Sequence, residues 1–381
     1  MWKGDRSRRI AGSAVCGRLC QPCRRMRLAA TISTLSHFET LFMFKRVVTA
    51  LCCGLSFMAS AAQVTDLYQG KAPTSGDMVA AQGQALGQVL IKVTGKRDIL
   101  TQPVVVKALA APGDYVKSYG YQDQDSVKYL KAEFKSDKVN SLVSESQFAL
   151  LGPARPQMAI WLVVDQGERR LLADQSSDGW AQALREQAQT LGLPISIPLM
   201  DLDDNMAVSA TDVWGRFADP ILQASQRYGA EMVVLGKLTP EGDKWSIDWG
   251  LYGPKAAGEV AELTRGNSTG TQAEVAQGFA DTLAAWLVKN YGARISGPAT
   301  SQTLVVDGLS EVDSMIAVQK MLQGMANVSK VAIGKLEGDQ VTFNFTLQGE
   351  QAELVRALQL ESRLRKVDDN GSGLRYQWSQ P

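Results

Sequence analysis

The chain has 381 residues, with 40 Lys and Arg against 39 Asp and Glu, one histidine and five cysteines. All five cysteines (Cys16, Cys20, Cys23, Cys52, Cys53) and the one histidine (His37) precede residue 62. The rest of the chain therefore excludes disulfides and any site built on imidazole or thiolate.

Residues 43–63 read as an export signal. Lys45 and Arg46 precede an apolar run from Val47 to Met58, and Ala59-Ser60-Ala61-Ala62 offers small residues for cleavage. That run is too short to span a bilayer core, so no stable membrane span is expected after cleavage. Thr49-Ala50-Leu51 before Cys52 is not a lipid-attachment pattern. Residues 1–42 are expected to be a disordered, over-extended start, with initiation at Met43 and the signal peptide at 43–62. The C-x3-C-x2-C spacing of Cys16, Cys20 and Cys23 then precedes a signal peptide, where an iron–sulfur cluster has no place. Removing ten of the forty basic and two of the thirty-nine acidic residues leaves thirty against thirty-seven, a net charge near −7. A negative chain of that kind does not suggest nucleic-acid binding, and no nucleic-acid partner is expected. The remainder, about 319 residues, calls for two or three domains.

In chain order, residues 63–70 alternate as an edge strand. Thr74 or Ser75 caps a helix from about Gly76, with Val79, Leu86, Val89, Leu90 and Val93 on one face and Gly95 at its end. Pro103 to Ala110 reads as a second helix, Val127 to Phe134 as a strand, and Ser136 to Glu145 as a helix capped by Ser136. Gly152-Pro153-Ala154-Arg155-Pro156 closes a small α+β domain over 63–152. Met158 to Val164 is a fully apolar strand. Asp178 caps a helix through Leu191, Leu193 to Met200 is a strand, and Thr211 opens a helix that Gly229 ends. Met232 to Leu238, Lys244 to Tyr252 and Gly258 to Arg265 are strands, and Thr271 to Tyr291 is a long amphipathic helix. An α/β sandwich over 156–293 follows from this order. Residues 294–302 form a linker by composition. The order βαββαβ over 303–381 predicts a ferredoxin-like domain.

Several motifs suggest chemistry and then fail on its requirements. Gly266-Asn267-Ser268-Thr269-Gly270 matches a nucleophile elbow, but no histidine remains to act as base. Asp201, Asp203, Asn205 and Asp212 partly mimic a calcium loop, with Met206 where the sharp turn needs glycine and Asp212 where a bidentate glutamate belongs. Gly95-Lys96 lacks the upstream glycine of a phosphate loop. Trp245 and Trp249 share one face of a strand: open, they would form a partner surface; under the 271–291 helix, they are core. No metal and no cofactor is expected, and no pair of carboxylates is singled out for hydrolysis.

Arg155-Pro156, Ile160-Trp161-Leu162, Asp201-Leu202-Asp203-Asp204, Asp212-Val213-Trp214-Gly215 and Ala224-Ser225-Gln226-Arg227-Tyr228, with Ile91-Lys92-Val93-Thr94-Gly95, resemble the bacterial family called domain of unknown function 2066. The resemblance implies an exported, periplasmic Gram-negative protein and no catalytic residue. The expectation is a non-enzymatic envelope accessory protein working through a protein partner. A peptidoglycan- or lipid-binding module is the alternative, and a carboxylate-dependent hydrolase ranks below both.

Overall fold

Apolar residues recurring every three or four positions fold Met78–Thr94 into helix α1 and give it a wholly buried stripe of Ala85, Leu86, Val89, Leu90 and Val93. The computed structural model describes residues 66–74, 77–124, 127–254, 259–359, 361, 363–367 and 374–379. The expected leader and signal peptide, with every cysteine and His37, lie outside them. Asp77 caps α1 by accepting from the Val79 and Ala80 amides, in place of the expected Thr74 or Ser75. Thr74 instead donates its amide to Lys128 at the end of the sheet.

Helix α1 packs on a three-stranded antiparallel sheet of order β1-β3-β2, made of β1 (Gln69–Pro73), β2 (Val116–Gln124) and β3 (Val127–Phe134). A Cβ at Gly70 would collide with the Ala85 carbonyl, so glycine is what lets β1 lie directly on α1. Helices α2 (Pro103–Ala110) and α3 (Ser136–Glu145) complete this region. Lys135 holds the N-cap position of α3 and Ser136 is its first helical residue, a shift of one from expectation.

The chain then crosses into a mixed sheet of order β5-β4-β7-β8-β9: β4 (Met158–Asp165), β5 (Arg169–Leu171), β7 (Met232–Glu241), β8 (Lys244–Pro254) and β9 (Val260–Gly270), with β6 (Ile195–Ser196) beside β4. β4 is parallel to β7, and β8 and β9 continue antiparallel. Of the strand expected at 193–200, only Ile195–Ser196 pairs. α4 (Trp180–Leu191) and α8 (Gln272–Tyr291) cover one face, and the core they close is continuous with that of α1. Thr271 and Glu274 form a capping box that starts α8.

The opposite face buries Ala159, Trp161, Val163, Val233 and Leu235 under three short helices, α5 (Leu202–Ala207), α6 (Ala210–Gly215) and α7 (Ala218–Ala224). One helix was expected over 211–229. It breaks because Arg216 takes a left-handed conformation (φ 60°) at the end of α6, and Pro220 is tolerated only in the first turn of a new helix. Helices on both faces make this the α/β sandwich of the α+β architecture.

The last sheet has the order β11-β12-β10-β14-β13. β10 (Thr300–Asp307), α9 (Val312–Gln323), β11 (Val328–Glu337), β12 (Gln340–Leu347), α10 (Gln351–Gln359) and β14 (Leu374–Trp378) form a ferredoxin-like βαββαβ unit, with β13 (Leu364–Lys366) added at the β14 edge. Its core of Leu304, Val306, Phe343, Phe345, Leu354 and Tyr376 is its own. Among the described residues, no helix is long and apolar enough to cross a membrane.

Candidate functional site

The acidic segment around α5 is held by a dense hydrogen-bond network. Asp201 caps α5 by accepting from the Asp204 amide (3.0 Å) and receives the Arg227 guanidinium on both oxygens, at 2.8 and 2.6 Å. Asp204 is buried. It accepts from Arg227 (3.0 Å), the Tyr228 hydroxyl (2.5 Å) and the Met200 amide (2.9 Å). Tyr228 in turn accepts from the Leu199 amide at 3.0 Å, and the Asn205 side chain donates to the Met200 and Asp201 carbonyls. These bonds hold Met200 at φ 58°, a left-handed conformation that an unbranched L-residue adopts only when its surroundings enforce it.

The electrostatics follow from the contacts. Hydrogen bonding to Arg227 brings the Asp201 pKa down to about 2. Burial, then the hydrogen bond to Asp204, pushes the Tyr228 hydroxyl up to about 12. Asp201 therefore stays ionised and the Tyr228 hydroxyl stays protonated across the ordinary pH range.

These bonds also answer the calcium-loop pattern. Asp201 is occupied by Arg227, Asn205 serves backbone carbonyls, and Asp212 belongs to a capping box with Ser209 on the next helix. Asp203 is 83 % exposed, 3.9 Å from Arg227. Among the described residues, no group of three or more acidic, His or Cys side chains is gathered to hold a metal. Beside exposed Asp203, the loop presents apolar side chains outward: Leu199, Leu202 and Met206 are 53, 74 and 79 % exposed, with Leu202 and Met206 one turn apart on α5.

The tryptophan pair is covered. Trp249 is buried with its ring 5.1 Å from Phe279 of α8, and Trp245 stacks edge-on against Trp180 of α4 at 5.2 Å. The partner-surface reading of Trp245 and Trp249 gives way to core, because α4 and α8 lie over that face. Ser268 of the elbow-like motif lies inside β9, not in a turn, and donates to the Val275 carbonyl. Sequence reasoning quoted Arg155, Arg227 and Tyr228 but missed their roles. The available signal was an arginine flanked by prolines with no nearby carboxylate, and an Arg-Tyr pair far in sequence from an Asp-rich segment.

Residues 61–152 match the family model described as Domain of unknown function (DUF8605). That is a different family from domain of unknown function 2066, and it ends before most of the residues on which the earlier resemblance rested. No curated protein matches the chain in sequence. Among solved structures, the chain is similar to the crystal structure of TolB from Acinetobacter baumannii, at 12 % identity and a TM-score of 0.22 over 42 % of this chain. The similarity spans 33 % of that TolB chain. At that score the likeness assigns neither fold nor function.

A second feature is a cleft of about 540 Å³ where the first region, α8 and α10 meet. Lys96, Lys289, Arg294 and Arg356 line it against Glu350 and Glu353, an excess of two positive charges. Arg356 donates to the Lys289 carbonyl (3.0 Å) and Glu353 accepts from the Arg294 amide (2.9 Å), so the cleft walls are pinned to each other. Nearby, burial and then the charge of Glu361 push the Glu231 carboxyl up to about 7. Neither Glu231 nor Glu361 lines the cleft.

Proposed function

We propose that this is an exported envelope protein that works without catalysis, by docking a protein partner on the apolar surface of α5. The observation that supports this reading is the pairing of a fully hydrogen-bonded polar mount with outward Leu199, Leu202 and Met206. Apolar side chains held rigid at the surface lose little entropy on binding, which is how a small contact becomes a strong one. The export signal expected over 43–62 and the resemblance to domain of unknown function 2066 support a partner in the periplasm of a Gram-negative cell.

The test is site-specific photocrosslinking in cells, with a benzophenone side chain at Leu202 or Met206 and a control at exposed Lys138. One discrete adduct shared by positions 202 and 206 and missing at 138 is the expected result. Equal, diffuse labelling at all three positions would sink the reading.

The basic cleft favours a second reading, a module for an anionic ligand such as the carboxylates of peptidoglycan stem peptides. Lys96, Lys289 and Arg294 have no ion-pair partner among the described residues, and they would supply its recognition.

A further inference from the structure

The walls of the basic cleft come from two bodies with separate cores, and the two bodies bring different charges to it. Lys96 beyond the end of α1, Lys289 in the last turn of α8 and Arg294 just past that helix come from one body, with no carboxylate among them. Glu350, Glu353 and Arg356, at the start of α10 and along it, come from the ferredoxin-like unit. Opposite charges sharing one cleft ordinarily close on each other as ion pairs. Among the described residues, none of these six does.

The hydrogen bonds show why. Glu353 and Arg356 stand three residues apart on α10, a spacing that suits an ion pair. Arg356 instead donates to the Lys289 carbonyl at 3.0 Å, and Glu353 accepts from the Arg294 amide at 2.9 Å. Each side chain is bound to main chain of the opposite wall, so neither neutralises the other. Glu350 is exposed, and its carboxylate makes no hydrogen bond among the described residues. Phe148 and Val288 line the same space, with the Lys96 ammonium 5.9 Å from the Phe148 ring.

A ligand of one sign would satisfy one wall and be repelled by the other. We propose that the cleft takes a short, peptide-like zwitterion, its carboxylates on Lys96, Lys289 and Arg294 and its ammonium on Glu350 and Glu353. This rests on the reading of the cleft as an anion site and adds the second charge. The excess of two positive charges calls for a ligand with more carboxylates than ammonium groups. A volume of about 540 Å³ suits a molecule of dipeptide size, whose methylenes would lie against Phe148 and Val288. A zwitterionic lipid headgroup fits less well, because its phosphate and ammonium are neighbours and the cleft brings its two signs from separate bodies.

Isothermal titration of the full chain with γ-D-glutamyl-meso-diaminopimelate, in which carboxylates outnumber ammonium groups, should give a Kd of about 0.1–1 mM. The same dipeptide acetylated on its amines should bind about tenfold more weakly. Glu350→Gln should weaken the free dipeptide by about tenfold and leave the acetylated one within about twofold, whereas Lys289→Gln should weaken both by about fivefold. Both positions are exposed, and circular dichroism melts check that the variants keep the fold. An acetylated dipeptide that binds as tightly as the free one, with Glu350→Gln indifferent, overturns the zwitterion and leaves the anion site standing. Binding to phosphatidylethanolamine vesicles alone, lost in Lys289→Gln, assigns the cleft to a lipid headgroup and overturns the peptide. Binding to neither peptide nor vesicles overturns the anion site as well. The outcome at α5 does not bear on any of these.

Discussion

Arg155 and Arg227 carry the same charge in opposite settings, and the contrast separates what holds this molecule together from what it displays. Arg155 is buried and, among the described residues, meets no carboxylate. Its guanidinium donates instead to five backbone carbonyls: Gly152, Leu191, Gly192, Lys92 and Leu151, at 2.5–3.1 Å. Those acceptors come from the end of α1, the end of α4 and the crossing between the first two sheets, so one side chain ties three segments and two helix C-termini. Burial draws its pKa down to about 10, which leaves it cationic at neutral pH. Gly192 must be glycine twice over, for its φ of 66° and because a Cβ would sit 2.6 Å from the Arg155 Nη1. Arg227 lies at the surface with carboxylate partners, and it orders only the loop beneath Leu202. A buried cation served by carbonyls is architecture, and an exposed one served by carboxylates positions a surface.

The largest expected effect follows from removing the first. Arg155→Met keeps bulk but strands buried carbonyls, and should cost about 3–5 kcal/mol in a urea titration. Arg155→Lys, with three donors on one nitrogen, should recover only part of that. A loss below about 1 kcal/mol for Arg155→Met would end the distinction between the two arginines.

Glu231 sharpens the comparison as a buried charge without such service. It has one backbone donor, the Gln157 amide at 3.3 Å, and a like-charged neighbour in Glu361 that Arg363 already pairs. Its folded pKa of about 7 lies above the ordinary 4.5. The folded state therefore holds the proton more tightly than the unfolded chain, and stability falls as pH rises from about 4.5 through 7. Glu231→Gln keeps the acceptor and removes the titration. It should match the parent near pH 4 and exceed it by roughly 2–3 kcal/mol at pH 8. Parallel pH–stability curves for the two proteins would show that folding does not raise the Glu231 pKa.

Much of the architecture was legible because the apolar periodicities are clean. The α2 span Pro103–Ala110, the strand Val127–Phe134 and the strand Gln340–Leu347 fall where the residues place them. β2 was not legible: Val116–Gln124 carries only Tyr119 and Tyr121 as an alternating signal, and the strand is held by pairing to β3, not by burial. The α5–α7 region failed for the opposite reason. Its apolar residues suit one long helix, and the breaks come from Arg216 and Pro220, whose effect is local geometry. Asp201 fits part of a calcium-loop pattern in isolation, because the arginine that pairs with it lies more than twenty residues away. Long-range ion pairing leaves no periodic trace in sequence.

The smallest expected effect, and the one that most directly tests the surface half of the comparison, is Arg227→Gln. The Arg227–Asp201 pair is exposed and adds little to global stability, and buried Asp204 keeps the Tyr228 hydroxyl and the Met200 amide as donors, so the melting temperature should move by no more than about 2 °C. The local consequence should be larger. Without the guanidinium, Asp201 and Asp204 repel, Met200 loses the constraint that keeps its backbone left-handed, and Leu202 loses its fixed direction. Amide exchange at Leu199 and Met200 should then quicken by about tenfold while the amides of β4 and β7 stay protected. The discrete adduct at position 202 should fade in step with that exchange. If the loop exchanges no faster in Arg227→Gln, the capping by Asp201 and the Asp204–Tyr228 bond suffice to hold α5, and Arg227 is a surface charge without a positioning role.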